Sequence, residues 1–269
     1  MRYLAGAAGL AALLSACGYD DATAPPAGGA TTRLEQLSGE ITSARYDPDT
    51  DTVIITGAPY DDGNLDGVYV RDPALDLNGF QAFRNNPAGF SPYIAYWRSS
   101  ATGATQAGVV RNADYFDLGY GGSIYRRDAT TTIPRQGLAS YTADYVGLIA
   151  FENASGLERT QGDVRMEVDF ADERMRGFVT NRVNLSTGDA MLNVVLNDST
   201  FANGHATNGT AVSRDGAGET VESGRYEALF GGVDAAEVVG VFVLSSTVDR
   251  GALTDLRARE TGIFIGTRD

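Results

Sequence analysis

The chain has 269 residues, a formal net charge of -14 and a pI near 4.4. So acidic a surface repels nucleic-acid phosphates and anionic lipid headgroups, which argues against a nucleic-acid partner and against membrane attachment through a basic patch. One cysteine and one histidine in the whole chain leave no disulfide framework, no thiolate metal site and no His-rich zinc site.

The N-terminus is the most informative segment. Arg2 supplies a positive charge and Leu4 to Leu14 form an apolar stretch. A bilayer span takes about 20 residues, so this stretch reads as a removable export signal. Leu14, Ser15, Ala16 and Cys17 stand in the order of a bacterial lipoprotein cleavage box. Residues 1–16 are therefore expected to be the signal peptide, and Cys17 the lipid attachment site carrying palmitate-type chains. Gly18 follows the cysteine, in place of the aspartate associated with inner-membrane retention, so an outer-membrane anchor is expected. Residues 17–40 read as the lipidated cysteine and a flexible tether. Pro25-Pro26 and Gly28-Gly29 lie in a stretch with few apolar side chains, and Arg33 to Glu40 has weak helical character.

From Ile41 the pattern is β. Ile41 to Tyr46 and Thr52 to Thr56 flank the turn at Asp47-Pro48-Asp49-Thr50-Asp51 and predict a hairpin. Short strands follow at Val68 to Arg71, Gly79 to Arg84, Tyr93 to Arg98 and Ala107 to Arg111, then a glycine-rich aromatic stretch from Tyr115 to Tyr125. Ile133 to Gly137 reads as a boundary. Residues 41–135 are thus expected to form a small β-rich handle-like domain.

The second half is more regular. Ser140 to Phe151 opens it. Val164, Met166, Val168 and Phe170 then alternate with Arg165, Glu167 and Asp169, and Met175 to Val183 returns. Leu192 to Leu196, a strand near Thr200 to Ser213, and Arg225 to Phe230 continue the series. Val238 to Leu244 is nearly continuous apolar sequence, which fits a strand covered on both faces. Ile263 to Gly266 closes the chain. About eight strands at this spacing predict an antiparallel barrel filled by side chains over residues 136–269. The fold class is all-β. A membrane-spanning barrel is not expected, because Arg165, Glu167, Asp169, Arg225 and Glu227 face outward, where a basic residue at mid-membrane costs about 2–4 kcal/mol.

Four stretches carry a family resemblance: Gly137 to Tyr141 with Tyr145-Val146-Gly147; Val164 to Phe170, ending in Val168-Asp169-Phe170; Glu219 to Tyr226; and Phe230 to Phe242 in an F-x-G-x-x-A-x-E-x-x-G-x-F arrangement that includes Glu237 and Gly240. This half resembles the barrel of the transferrin-binding-protein-like surface lipoproteins. The resemblance implies a handle and barrel, a place at the bacterial outer membrane or cell surface, and a non-catalytic binding role toward a protein or in iron or haem acquisition. It carries over no ligand residue. The alternatives are a carrier of haem or another small ligand, and a periplasm-facing structural lipoprotein without a ligand.

Candidate sites are few. Tyr93, Tyr96 and Trp97, beside Arg98, are the candidate partner-binding residues, as an exposed aromatic cluster suits an interface. His205 lies in Asn203-Gly204-His205, where an exposed loop histidine without a role is favoured over a haem ligand. Asp47, Asp49 and Asp51, and the loop of Asp61, Asp62, Asn64 and Asp66, read as solvated turns rather than calcium sites, lacking the distal glutamate of a calcium loop. Arg126 and Arg127 read as a solvated strand end. No nucleophile–base pair or G-x-S-x-G elbow is present, so no catalytic residue, metal site or cofactor is assigned.

Overall fold

Alternation along one strand dictates the architecture. Val164, Met166, Val168 and Phe170 all fall on one face and are at most 3% exposed, while Arg165 and Glu167 between them face solvent. A computed structural model describes residues 30–32, 41, 43–57, 67–86, 92–112 and 117–269. The lipoprotein box, the Arg33 to Glu40 turn and the Asp61 to Asp66 loop lie outside the described residues.

The first sheet contains β1 (Ala30–Thr32), β2 (Ser43–Asp47), β3 (Thr52–Thr56), β4 (Gly67–Arg71), β5 (Gln81–Asn85), β6 (Tyr93–Ser99), β7 (Thr105–Arg111) and β8 (Gly121–Arg127). It is an antiparallel meander from β2 to β8, with β1 paired to the far edge of β8. Ala30–Thr32 was expected within the tether; its backbone instead extends the sheet edge.

The second sheet contains β9 (Leu138–Phe151), β10 (Ala154–Asp169), β11 (Arg174–Asn184), β12 (Val194–Thr200), β13 (His205–Arg214), β14 (Thr220–Gly231), β15 (Glu237–Arg250) and β16 (Leu253–Arg268). Each pairs antiparallel with the next, and β16 pairs back to β9, closing an eight-stranded barrel. The expected fold class is therefore the observed one. Three strands run well beyond their apolar signals: β16, expected only at Ile263 to Gly266, begins at Leu253.

Two faces of burial explain the sequence runs. On β15, Val238, Phe242 and Leu244 enter the barrel core, whereas Val239 and Val241 pack outward with Leu148, Ile263 and Ile265 beneath the handle. On β6, Tyr96 joins that inter-sheet core, while Tyr93, Ala95 and Trp97 enter the handle's own core with Val53, Ile55 and Phe83. Each valine, leucine, isoleucine or phenylalanine among them, fully buried, contributes about 1.5–3 kcal/mol.

Polar contacts fix the handle on the barrel. Asn78 Nδ2 donates to the carbonyls of Tyr145 and Gly162 at 3.1 and 2.8 Å, where a bulge shifts the β10–β11 register. Arg98 reaches Asp144 at 2.7 Å, and Arg111 donates to Thr261 Oγ1 at 2.8 Å. Glu237 accepts from Thr102 Oγ1 at 2.5 Å and Thr105 Oγ1 at 2.7 Å.

Candidate binding site at the open barrel mouth

The barrel interior changes character along its axis. One half is apolar: Tyr141, Phe170, Phe201, Phe230 and Ile133 fill it, and Phe170, Phe201 and Phe230 form mutual edge-on contacts at 5.2–5.9 Å between centroids. The link after β8 and the β14–β15 connection seal this end, with Tyr141 Oη donating to the Ala235 carbonyl at 2.6 Å.

The other half is polar. Arg182, with no side-chain exposure, donates to Glu222 at 2.6 and 3.1 Å, to Glu260, and to the Leu192 carbonyl at 2.7 Å. Ser213 Oγ donates to Glu222 at 2.7 Å and Thr160 Oγ1 to Glu260 at 2.5 Å. Burial opposes the arginine's charge, yet the carboxylates of Glu260 and Glu222 outweigh it and hold its pKa above the ordinary value. Burial, with the Glu260 charge added, pushes the neighbouring Tyr145 hydroxyl upward. Gly147 leaves space for this network, since a Cβ there would stand 2.5 Å from the Glu260 carboxylate and closer still to Thr160 Oγ1.

Above the network the barrel opens into a cavity of about 380 Å3. Ile149, Phe151, Met191 and Val248 give it apolar sides, and Glu158, Glu222 and Glu260 are its buried carboxylates. Glu158 accepts from Asn184 Nδ2 at 2.6 Å and lies 3.3 Å from Arg250. Four connections lie at this end: the tight β9–β10, β13–β14 and β15–β16 turns and the longer loop from Leu185 to Asn193.

The N-terminal strand lies at the opposite end. Ala30 pairs with Arg127, whose guanidinium donates to the carbonyls of Phe230 and Asn203 at 3.0 and 2.9 Å beside the sealed mouth. A 16-residue strand such as β16 runs about 50 Å, so the open mouth and the start of the handle are far apart.

The structure corrects several sequence expectations. Tyr93, Tyr96 and Trp97 are at most 2% exposed and form no surface cluster. Tyr93 meets Tyr69 edge-on at 6.1 Å, and Tyr96 Oη donates to the Leu75 carbonyl at 3.2 Å. They are core because both faces of β6 are covered, so none of the three offers a surface to a partner. His205 is not an exposed loop residue: it opens β13, half-buried, with Nε2 3.0 Å from Tyr125 Oη. That contact occupies the nitrogen a haem iron would need. Arg126 and Arg127 are not a solvated end. Arg126 donates to Gln106 at 2.6 Å and lies over the Trp97 ring, while Arg127 is buried against the barrel. Asp47, Asp49 and Asp51 sit in the β2–β3 turn, where Asp47 accepts from the Asp49 amide at 3.0 Å and Asp51 from Tyr46 Oη at 3.0 Å.

Arg182, Glu222 and Glu260 were missed. The parity of the strands could have shown two of them: Glu222 shares the inward parity of Tyr226, and Glu260 that of Phe264.

No protein-family model matches the chain, and no curated protein matches it by sequence. Among solved structures, a double-substituted transferrin binding protein B from Haemophilus parasuis Hp5 aligns with a TM-score of 0.50 and 14% identity, over 89% of this chain and 44% of that one. Intact Ap-TbpB, with N and C lobes, aligns at 0.47 and 13% over 90% and 45%. A protein described as a surface lipoprotein aligns at 0.41 and 12% over 91% and 100%. The chain thus spans less than half the length of the transferrin binding proteins it matches. At this identity the likeness is one of fold, and the fold is the handle and barrel of the transferrin-binding-protein type.

Proposed function

We propose that this chain is an outer-membrane-anchored bacterial lipoprotein that acts as a non-catalytic binding module for a protein, presented at the cell surface. The lipoprotein box ending at Cys17 supports the anchor. The fold shared with transferrin binding protein B supports the binding role. The observation that carries the reading is polarity of position. Twelve residues lie between Cys17 and Ala30, a reach of at most about 45 Å when extended. Ala30 lies at the sealed end, so the open mouth and its loops point away from the anchor. Leu192 and Val221 on that rim are 39% and 40% exposed, the apolar contacts a protein partner would cover.

Two measurements test this reading. Radiolabelled palmitate should enter the wild-type protein and not Cys17→Ala; equal labelling of both would remove the anchor. Crosslinked capture from intact cells should recover a protein with the wild type and lose it when Leu192 and Val221 are both replaced by aspartate. Capture unaffected by that change would move the binding face elsewhere.

A further inference from the structure

The cavity in the open mouth is a built site whose chemistry selects its occupant. Its volume of about 380 Å3 falls within the range that holds small ligands. Its sides are hydrocarbon and aromatic, from Ile149, Phe151, Met191 and Val248. Its depth is anionic: a single buried guanidinium, Arg182, serves the two carboxylates of Glu222 and Glu260. Among the lining residues Glu158, Asp189, Glu222, Asp249 and Glu260 are set against one arginine, Arg250. Apolar walls around an excess of one sign concentrate the field inside the cleft.

A second observation shows what the mouth accommodates. It already seats an organic cation of the chain's own. The Arg250 guanidinium lies 4.4 Å over the Phe151 ring, donates to the Ser155 carbonyl at 2.6 Å and stands 3.3 Å from Glu158. Gly156 is held at φ +105°, and a Cβ there would stand 2.6 Å from that guanidinium. Aromatic face, carboxylate and carbonyl together are the elements of cation recognition. The same pairing of apolar side and carboxylate recurs deeper, at Ile149 and Met191 with Glu222 and Glu260. The apolar sides fit the hydrocarbon body of an organic cation, and among the described residues no group of three or more His, Cys, Asp or Glu side chains is arranged to hold a metal ion.

We propose that this cavity binds a small organic cation with an apolar body, of the arylalkylamine class. The ammonium sits against Glu222 and Glu260 and the hydrocarbon packs on Ile149, Phe151 and Met191. The inference goes beyond the proposed protein partner: it is argued from the cavity's own lining, and it stands or falls apart from the lipid anchor and the protein partner.

Calorimetric titration of the full chain in detergent with phenethylamine, and with neutral phenethyl alcohol as its isostere, tests it. Saturable amine binding is expected, with the alcohol about tenfold weaker or worse. Val248→Trp fills the cavity from its apolar side without touching a carboxylate and should abolish binding. Glu222→Gln, if it still melts cooperatively, should weaken the amine about tenfold; if it does not fold, Val248→Trp decides. Equal affinity for amine and alcohol, wild-type binding by Val248→Trp, or no saturable binding by the folded wild type would each overturn the proposal. Palmitate labelling and surface capture read the anchor and the partner separately, so either result can fail without the other.

Discussion

The Arg182 guanidinium, wholly out of contact with solvent, reaches Glu260 across the barrel lumen and ties β11 to β16. Glu222 on β14 completes the group, so three strands that are not consecutive around the barrel share one charge network. Removing one partner from such a group leaves uncompensated buried charge and typically costs about 3–5 kcal/mol. Arg182→Met should lower the urea midpoint by a corresponding amount. Adding Glu222→Gln and Glu260→Gln to that variant should restore more than half of the loss, because the stranded carboxylates are gone. A single variant as stable as the wild type would show that the network contributes little.

The apolar end of the barrel makes the complementary prediction. Val168 is 3% exposed and packs in the core of Met166, Phe170 and Met175. Val168→Asp places there a carboxyl with no partner, which is costly in either protonation state. Domains are stable by only about 5–15 kcal/mol, so cooperative unfolding should vanish at ambient temperature. The solvent-facing neighbour provides the control: Glu167→Gln removes only an exposed pair with Arg176 and should shift the melting temperature little. Circular dichroism melts of the two variants separate the faces of β10.

These two sites also show what the sequence allows to be read. The barrel was legible because β10 has one wet face, and alternation of Val164 to Phe170 with charges has no other explanation. The Val238 to Leu244 run was legible as doubly covered, though not what covered it. The aromatic run at Tyr93 to Trp97 has the same cause, and was read as an interface because side-chain parity alone does not say whether the second face is wet. It is an interface at Tyr96, but with the chain's own barrel. Arg182 was invisible for a different reason. Met175 and Val179 face inward at odd positions, but Asn181, at φ 52°, and Arg182 together oppose the single residue Gly162, a bulge on β11 that breaks that parity. Arg182 therefore turns into the lumen. A bulge moves every later side chain to the other face, and no periodicity in the chain announces it.

Glu237 gives a physical role to a motif position that the sequence left as pattern. It begins β15, is 3% exposed, and accepts hydroxyl bonds from Thr102 and Thr105 in the β6–β7 turn of the handle and at its end. It is thus a clamp between the two sheets at the sealed end. Glu237→Ala strands both hydroxyls and should cost about 1–3 kcal/mol. Glu237→Gln keeps an acceptor and should recover part of that. Hydrogen exchange should place the added opening at Thr105 and its neighbours on β7, with β10 and β11 unchanged. Uniform loss of protection across both sheets would show that handle and barrel unfold as one unit.

Tyr125 on the handle, held by His205 and Glu227 of the barrel, is a second clamp between the sheets, and it is sensitive to pH. Tyr125 Oη donates to Glu227 and lies 3.0 Å from His205 Nε2, with Arg127 alongside. Burial first, and then the Arg127 charge, hold the imidazole pKa below its usual value. The unfolded chain, with its histidine at about 6.5, binds this proton more readily than the folded one. Stability owed to His205 is therefore complete above that pH and declines as pH falls toward the lower folded value. Glu227 works in the opposite sense. Burial raises its carboxyl, against the Tyr125 bond and Arg225, so its contribution is full below the ordinary glutamate range and is lost as pH rises through the folded value. Both the wild type and His205→Gln keep Glu227, so the difference between their melting temperatures isolates the histidine. The wild type should lose melting temperature more steeply than His205→Gln as pH drops from about 7 to about 5.5. Parallel slopes would mean that the imidazole titrates the same in folded and unfolded chains, and that the Tyr125 contact does not constrain its charge.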